Sequence, residues 1–119
     1  MLEFSLTEEQ EALVEQARRF TKERIIPVAA ECDRKHEFPM DVFKEAHELG
    51  FVNATVATEY GGAGLSELDN ALLTEELAYG CTGIQTSITA NTLGSTPILI
   101  AGNDAQKKKY LGMLTAEPC

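Results

Sequence analysis

The chain has 119 residues, a hydrophobic fraction of 44%, a charged fraction of 24% and a formal net charge of −9. A chain of that length is one domain that buries roughly two thirds of its unfolded surface, and its composition excludes disorder and collagen-like architecture. The acidic balance argues against nucleic acid, because phosphate neutralisation needs clustered cations and the basic run is limited to Lys107, Lys108 and Lys109.

Phe4 to Glu11 already reads as the start of a helix, so the expectation is that any targeting leader is absent or removed. Thr7 with Gln10 three residues on forms a capping box, and Glu8, Glu9 and Glu11 sit where the positive end of the dipole favours them. Leu13, Ala17, Phe20, Ile25 and Val28 make an apolar stripe, with Glu15 and Arg19 as an exposed i,i+4 pair. Pro27 is expected to kink this helix without ending it, since the pattern continues through Ala30.

Phe38 and Pro39 introduce a second helix through Leu49, with Val42, Phe43, Ala46 and Leu49 inward and Gly50 as its stop. From Phe51 to Val56 the residues are mixed and partly β-branched, and Tyr60 to Gly64 force a loop. Ser66, with Asp69 three residues on, restarts a helix to Tyr79 or Gly80. Thr82 and Gln85 repeat the capping pattern and start a central helix at Gly83 that ends at Gly102. Asn103 and Gln106 open the last helix, through Lys107, Tyr110, Leu111 and Met113. Five helices with no repeat and no internal linker define an all-α bundle in a single domain, 1–119.

Leu77 to Asn103 is a 27-residue window without Asp, Glu, Lys, Arg or His in an otherwise densely charged chain, which predicts an enclosed segment. Gly83, Ser87, Ala90, Gly94, Pro97 and Ala101 recur at helical spacing on one face, which something is expected to approach closely. Gln85, Thr89, Thr92, Thr96 and Leu99 form a second, mostly polar stripe suited to lining a cleft. The window holds seven Ser or Thr residues together with Gln85, Asn91 and Pro97, which argues against a membrane span.

Other chemistry is weakly signalled. Gly61 to Gly64 has the composition of a phosphate cradle but lacks the Gly-Lys-Ser/Thr ending, so it reads as an interhelical turn. His36, His47 and Cys32 lack tight ligand spacing, and both histidines read as facing solvent, with no metal site. Cys32, Cys81 and Cys119 are an odd number and suit a reducing compartment. Glu75 and Glu76 point about 100° apart on a helix and cannot work as a pair; one reads as surface, the other as an ion-pair partner. Gln85 has two readings, a cap on Thr82 or a polar group facing a ligand, and the threonines could instead satisfy themselves on carbonyls one turn back.

Glu75 to Gly83, followed by Gln85, Thr86, Asn91, Leu93, Gly94 and Ile100 to Asn103, closely resembles the acyl-CoA dehydrogenases, medium-chain enzymes above all. Ile25 to Glu31, Tyr60 to Leu65 and Gln106 to Leu111 resemble further stretches of that family, so the likeness covers essentially the whole chain. The resemblance implies an N-terminal helical domain, with a middle β-domain starting just after Pro118 and Cys119 and a C-terminal helical domain both absent.

The complete enzyme so implied takes a proton and a hydride from the α and β carbons of a medium-chain acyl-CoA in fatty-acid β-oxidation. It passes the hydride to FAD and the electrons to electron-transfer flavoprotein, and works as a homotetramer in the mitochondrial matrix. Its catalytic base would lie in the absent C-terminal domain, so no residue here is catalytic and the chain alone is expected to be inactive and free of FAD. Gln85, Thr86 and Thr89 match positions near the deep end of the acyl-chain cleft and are the substrate-binding candidates. Thr89 departs from the glutamate that medium-chain enzymes tend to carry, which leaves acyl-chain length open. The alternative reading is a stand-alone helical module for acyl chains or protein partners, without catalysis.

Overall fold

The computed structural model describes residues 4–118. Six α-helices make up the described fold: α1 (Glu8–Phe20), α2 (Ile26–Lys35), α3 (Met40–Glu48), α4 (Glu67–Gly80), α5 (Thr82–Ala101) and α6 (Asp104–Ala116). A π-helical turn, Thr21–Ile25, joins α1 to α2 without a break, so the five expected helices are present and the fold is all-α. That wide turn immediately precedes Pro27, which has no N–H to return to the preceding turn. The rod continues past Ala30 to Lys35 and stops at His36, which adopts the left-handed conformation (φ 55°).

Three capping boxes form as the sequence dictates. Thr7 with Gln10, Ser66 with Asp69, and Asn103 with Gln106 each exchange both side-chain-to-backbone bonds. The fourth expected box does not form: α5 begins at Thr82 with Cys81 as its N-cap residue and no side-chain cap. Gly50 (φ 77°) terminates α3 in the left-handed region where a Cβ is costly.

α1 and α4 lie side by side and run in the same direction, because contacts advance together along both. Gln10 reaches Asp69 (2.9 Å), Arg18 pairs with Glu76 (2.5 Å), and the Thr21 hydroxyl donates to the Glu76 carbonyl (3.0 Å). Gly80 lets the π turn close over the end of α4, since a Cβ there would stand 2.6 Å from Thr21 Cγ2 and 2.9 Å from Ile25 Cγ2. On α1 it is Arg18 that pairs rather than Arg19, whose spacing from Glu15 does not produce an ion pair, and Arg24 of the π turn pairs with Glu45 (2.5 Å). Glu76 is the ion-pair carboxylate and Glu75 the exposed one.

The core gathers Ala17, Phe20 and Ile25 with Val42, Phe43 and Ala46, Leu73 and Leu77, and Ile84 and Ile88. Phe51, Val52 and Ala54 join it from the α3–α4 connection, with the Phe20 and Phe51 rings meeting edge to face at 5.5 Å. Leu49, expected inward, is instead 37% exposed, because α3 ends a residue earlier and Gly50 turns the chain away.

α6 is tied to that connection by its last turn. Asn53 Nδ2 donates to the Leu114 carbonyl (2.8 Å), His47 Nε2 bonds the Thr115 carbonyl (3.1 Å), and the Thr115 hydroxyl donates to the Tyr60 carbonyl. Helix ends leave carbonyls without intrahelical partners, and these side chains supply donors to two of them. His47 is therefore half-buried and structural, not solvent-facing. His36 is exposed.

Candidate functional site

Gln85 is one of two buried polar residues of α5, with Ser95, and is 9% exposed. Its Nε2 donates to Thr89 Oγ1 (2.8 Å), and the Thr89 hydroxyl in turn donates to the Gln85 carbonyl (3.1 Å). The Thr86 hydroxyl donates to the Thr82 carbonyl (2.9 Å), with a longer approach to Gln85 Oε1 (3.5 Å). The cap reading of Gln85 is thereby overturned, because its amide points up the helix instead of back to Thr82. Gln85, Thr86 and Thr89 do come together, as a neutral polar cluster grading from buried to half-buried Thr89 and exposed Thr86.

Two features give this cluster its character. No charge lies near it in sequence, and each hydroxyl already has an acceptor, so it can accept a ligand's donor or an apolar group without titrating. From Thr86 the same side of α5 continues at seven-residue steps to Leu93 and Ile100, which are 78% and 80% exposed. An uncharged helix face of this kind is suited to lining a cleft. The expected stripe of Gln85, Thr89, Thr92, Thr96 and Leu99 is split instead, buried at Gln85 and exposed at Thr96, because the buried side of α5 carries Ile84, Ile88 and Ser95.

The expectation of close approach to the small-residue face is corrected. Among the described residues, nothing lies within 4 Å of where a Gly94 Cβ would be. That face instead lines a run of hollows. Gly83 and Ser87 border a cleft beside α2, and Ala90 and Gly94 border a groove of about 740 Å3 against α6. Pro97 and Ala101 border a third hollow near Gln106. Tyr110 and Met113, which the sequence placed on the last helix, wall the large groove, and the buried residue of that helix is Leu111. Gln85, Thr86 and Thr89 do not line these three hollows. The charge-free window is enclosed on one side only.

The glycine-rich turn does not fit a phosphate site. The amides of Gly61, Gly62 and Gly64 are spent on the Thr58, Ala57 and Val56 carbonyls, and a Cβ on Gly62 would lie 2.0 Å from the Val56 carbonyl oxygen. That turn is closed on its own backbone and cannot cradle an anion. Among the described residues, no three His, Cys, Asp or Glu side chains converge as a metal-holding group, and no helix is long and apolar enough to cross a membrane.

The fold and its half-covered central helix define an all-helical domain that presents an uncharged helix face. A family model for the acyl-CoA dehydrogenase N-terminal domain matches residues 7–117, and the chain belongs to that family. A probable medium-chain specific acyl-CoA dehydrogenase 2, mitochondrial, of Caenorhabditis briggsae is 45% identical over 117 residues, which is 98% of this chain and 29% of that protein. Among solved structures, butyryl-CoA dehydrogenase of Megasphaera elsdenii superposes with a TM-score of 0.82 at 30% identity, covering 96% of this chain and 31% of that one. A chain from a study of the electron transferring flavoprotein of Acidaminococcus fermentans superposes with a TM-score of 0.88 at 32% identity, covering 98% and 31%. The chain thus spans under a third of the length of these relatives.

Proposed function

We propose that this chain is the N-terminal helical domain of a flavin-dependent acyl-CoA dehydrogenase, and that α5 forms one wall of the acyl-chain cleft. The observation that carries this reading is the family match along residues 7–117, joined to a central helix that is uncharged and half uncovered. Gln85, Thr86 and Thr89 are the substrate-facing residues in this reading. Their neutral, internally satisfied hydroxyls and amide suit the end of an acyl chain better than a charged group would.

The reaction class is α,β-dehydrogenation of an acyl-CoA. FAD supplies the hydride acceptor when bound. In this reading the flavin and the catalytic base are held by the portion of the relatives outside the matched segment. Thr89 is smaller and neutral where a medium-chain enzyme tends to hold glutamate, so chain-length preference is set partly at this position. Electron-transfer flavoprotein as acceptor, a tetrameric assembly and a mitochondrial matrix location follow the same reading; the Caenorhabditis relative carries "mitochondrial" in its name, whereas the Megasphaera enzyme is bacterial.

The test is a chimera in which this chain replaces the matching 117 residues of the Caenorhabditis relative. A yellow protein whose flavin is bleached by acyl-CoA supports the reading. A folded, FAD-loaded chimera that no acyl-CoA from butyryl to palmitoyl reduces overturns it.

A further inference from the structure

Thr89 is half-buried, and its hydroxyl is turned back on its own helix. The O–H is spent on the Gln85 carbonyl one turn back (3.1 Å), and the oxygen takes the Gln85 Nε2 donor (2.8 Å). A hydroxyl has one donor and two acceptor lone pairs, so the donor is used up and one lone pair is occupied. Threonine on a helix ordinarily divides between two χ1 rotamers, because its oxygen can bond either carbonyl of the preceding turn. The second bond, from the buried Gln85, favours the rotamer that this structure holds. With the oxygen held back, the methyl branch is the part of Thr89 left to project from the helix. Thr86, which is exposed, likewise commits its O–H to the Thr82 carbonyl (2.9 Å). No Lys, Arg or His stands in the window from Leu77 to Asn103 to meet an anion.

We propose that Thr89 meets the acyl chain with its methyl group and not with its hydroxyl, so that α5 selects a saturated chain ending in CH3 by shape. The inference rests on the reading of α5 as a wall of the acyl-chain cleft and specifies what that wall recognises. Of the two ligand groups the cluster is able to take, a donor or an apolar group, this geometry favours the apolar one. A hydroxyl at the chain end would leave water without meeting a free O–H at Thr89 or Thr86, and a carboxylate there would meet no cation of this window.

The test uses the flavin-loaded chimera and reads kcat/KM for hexanoyl-, octanoyl-, decanoyl- and 8-hydroxyoctanoyl-CoA. Thr89→Ser keeps the hydroxyl and removes only the methyl, whereas Thr89→Val keeps the methyl and removes the hydroxyl. The decanoyl-to-hexanoyl ratio should rise by on the order of 10-fold in Thr89→Ser and stay within about 2-fold of the parent in Thr89→Val. Octanoyl-CoA should be preferred over its hydroxylated analogue by on the order of 10- to 100-fold in the parent. The Thr89→Ser ratio and the hydroxylated substrate decide the matter even where Thr89→Val is too unstable to load flavin. A parent that accepts both octanoyl substrates equally, or a Thr89→Val shift that equals or exceeds the Thr89→Ser shift, overturns the inference and leaves α5 on the substrate. A profile that neither variant moves overturns both the inference and the reading beneath it.

Discussion

Gln85 and Thr89 satisfy each other in both directions: the Gln85 amide donates to the threonine hydroxyl at 2.8 Å, and that hydroxyl donates to the Gln85 carbonyl at 3.1 Å. The pair is asymmetric in its consequences. Gln85→Leu removes the donor but leaves the Thr89 hydroxyl on its backbone acceptor, so the loss should stay under about 1 kcal/mol. Thr89→Val strips a mostly buried amide of its acceptor and should cost about 1–3 kcal/mol. Urea denaturation of the two variants decides it, and a Thr89→Val protein as stable as Gln85→Leu would count against the pairing.

Two helical glycines should answer alanine in opposite ways. Gly94 has open space around it, so Gly94→Ala should stabilise this chain by about 1 kcal/mol through helix propensity, and Gly94→Leu should be tolerated. Gly80→Ala would press a Cβ against the branched, rotamer-restricted side chains of Thr21 and Ile25 and should cost about 1–3 kcal/mol. Thermal melts of both alanine variants provide the comparison.

The pH dependence follows from Asp69. Hydrogen bonds from Gln10, and then from Ser66, hold its carboxyl below the usual carboxylate range. A folded-state value depressed below the unfolded one, about 3.9, gives stability that is present above that pH and is lost as pH falls through the folded value. Asp69→Asn should therefore be less stable than the parent near neutrality, and the gap should close as pH falls below the unfolded value of about 3.9 and through the lower folded one. Urea midpoints at pH 6 and pH 3 test this, and a gap independent of pH would contradict it.

The exposed line of Leu93 and Ile100, with Met113 across the groove at 63% exposure, should make the isolated chain bind a hydrophobic dye and self-associate at high concentration. Light scattering across a concentration series reads this out directly. The isolated chain should also purify colourless and leave acyl-CoA unchanged.

Most of the fold is written locally, and so it is legible. The capping pairs at Thr7, Ser66 and Asn103 mark helix starts because their partners lie three residues away, and Gly50 marks a stop because only its own backbone decides it. What the sequence hides is which face of α5 is covered. Small residues at helical spacing suggest close packing, yet packing depends on the neighbour, and the side of α5 that is buried carries Ile84, Ile88 and Ser95. The same blindness applies to Thr82 with Gln85, a capping pattern by spacing that loses to the hydroxyl of Thr89. His47 reads as a surface residue until α6 brings the Thr115 carbonyl to it from 68 positions away. Grouping Gln85, Thr86 and Thr89 came from family resemblance, and nothing in composition alone would single them out from the other hydroxyls of the window.

The claim that α5 lines the acyl chain is tested most directly by the chain-length profile of the chimera's flavin reduction, with Thr89 and with Thr89→Leu. Filling the neutral end of the cleft should change the ratio of kcat/KM between short and long acyl-CoA by on the order of 10-fold, at unchanged flavin content. An identical profile in the two proteins, from butyryl to palmitoyl, would contradict the account and place Thr89 away from the substrate.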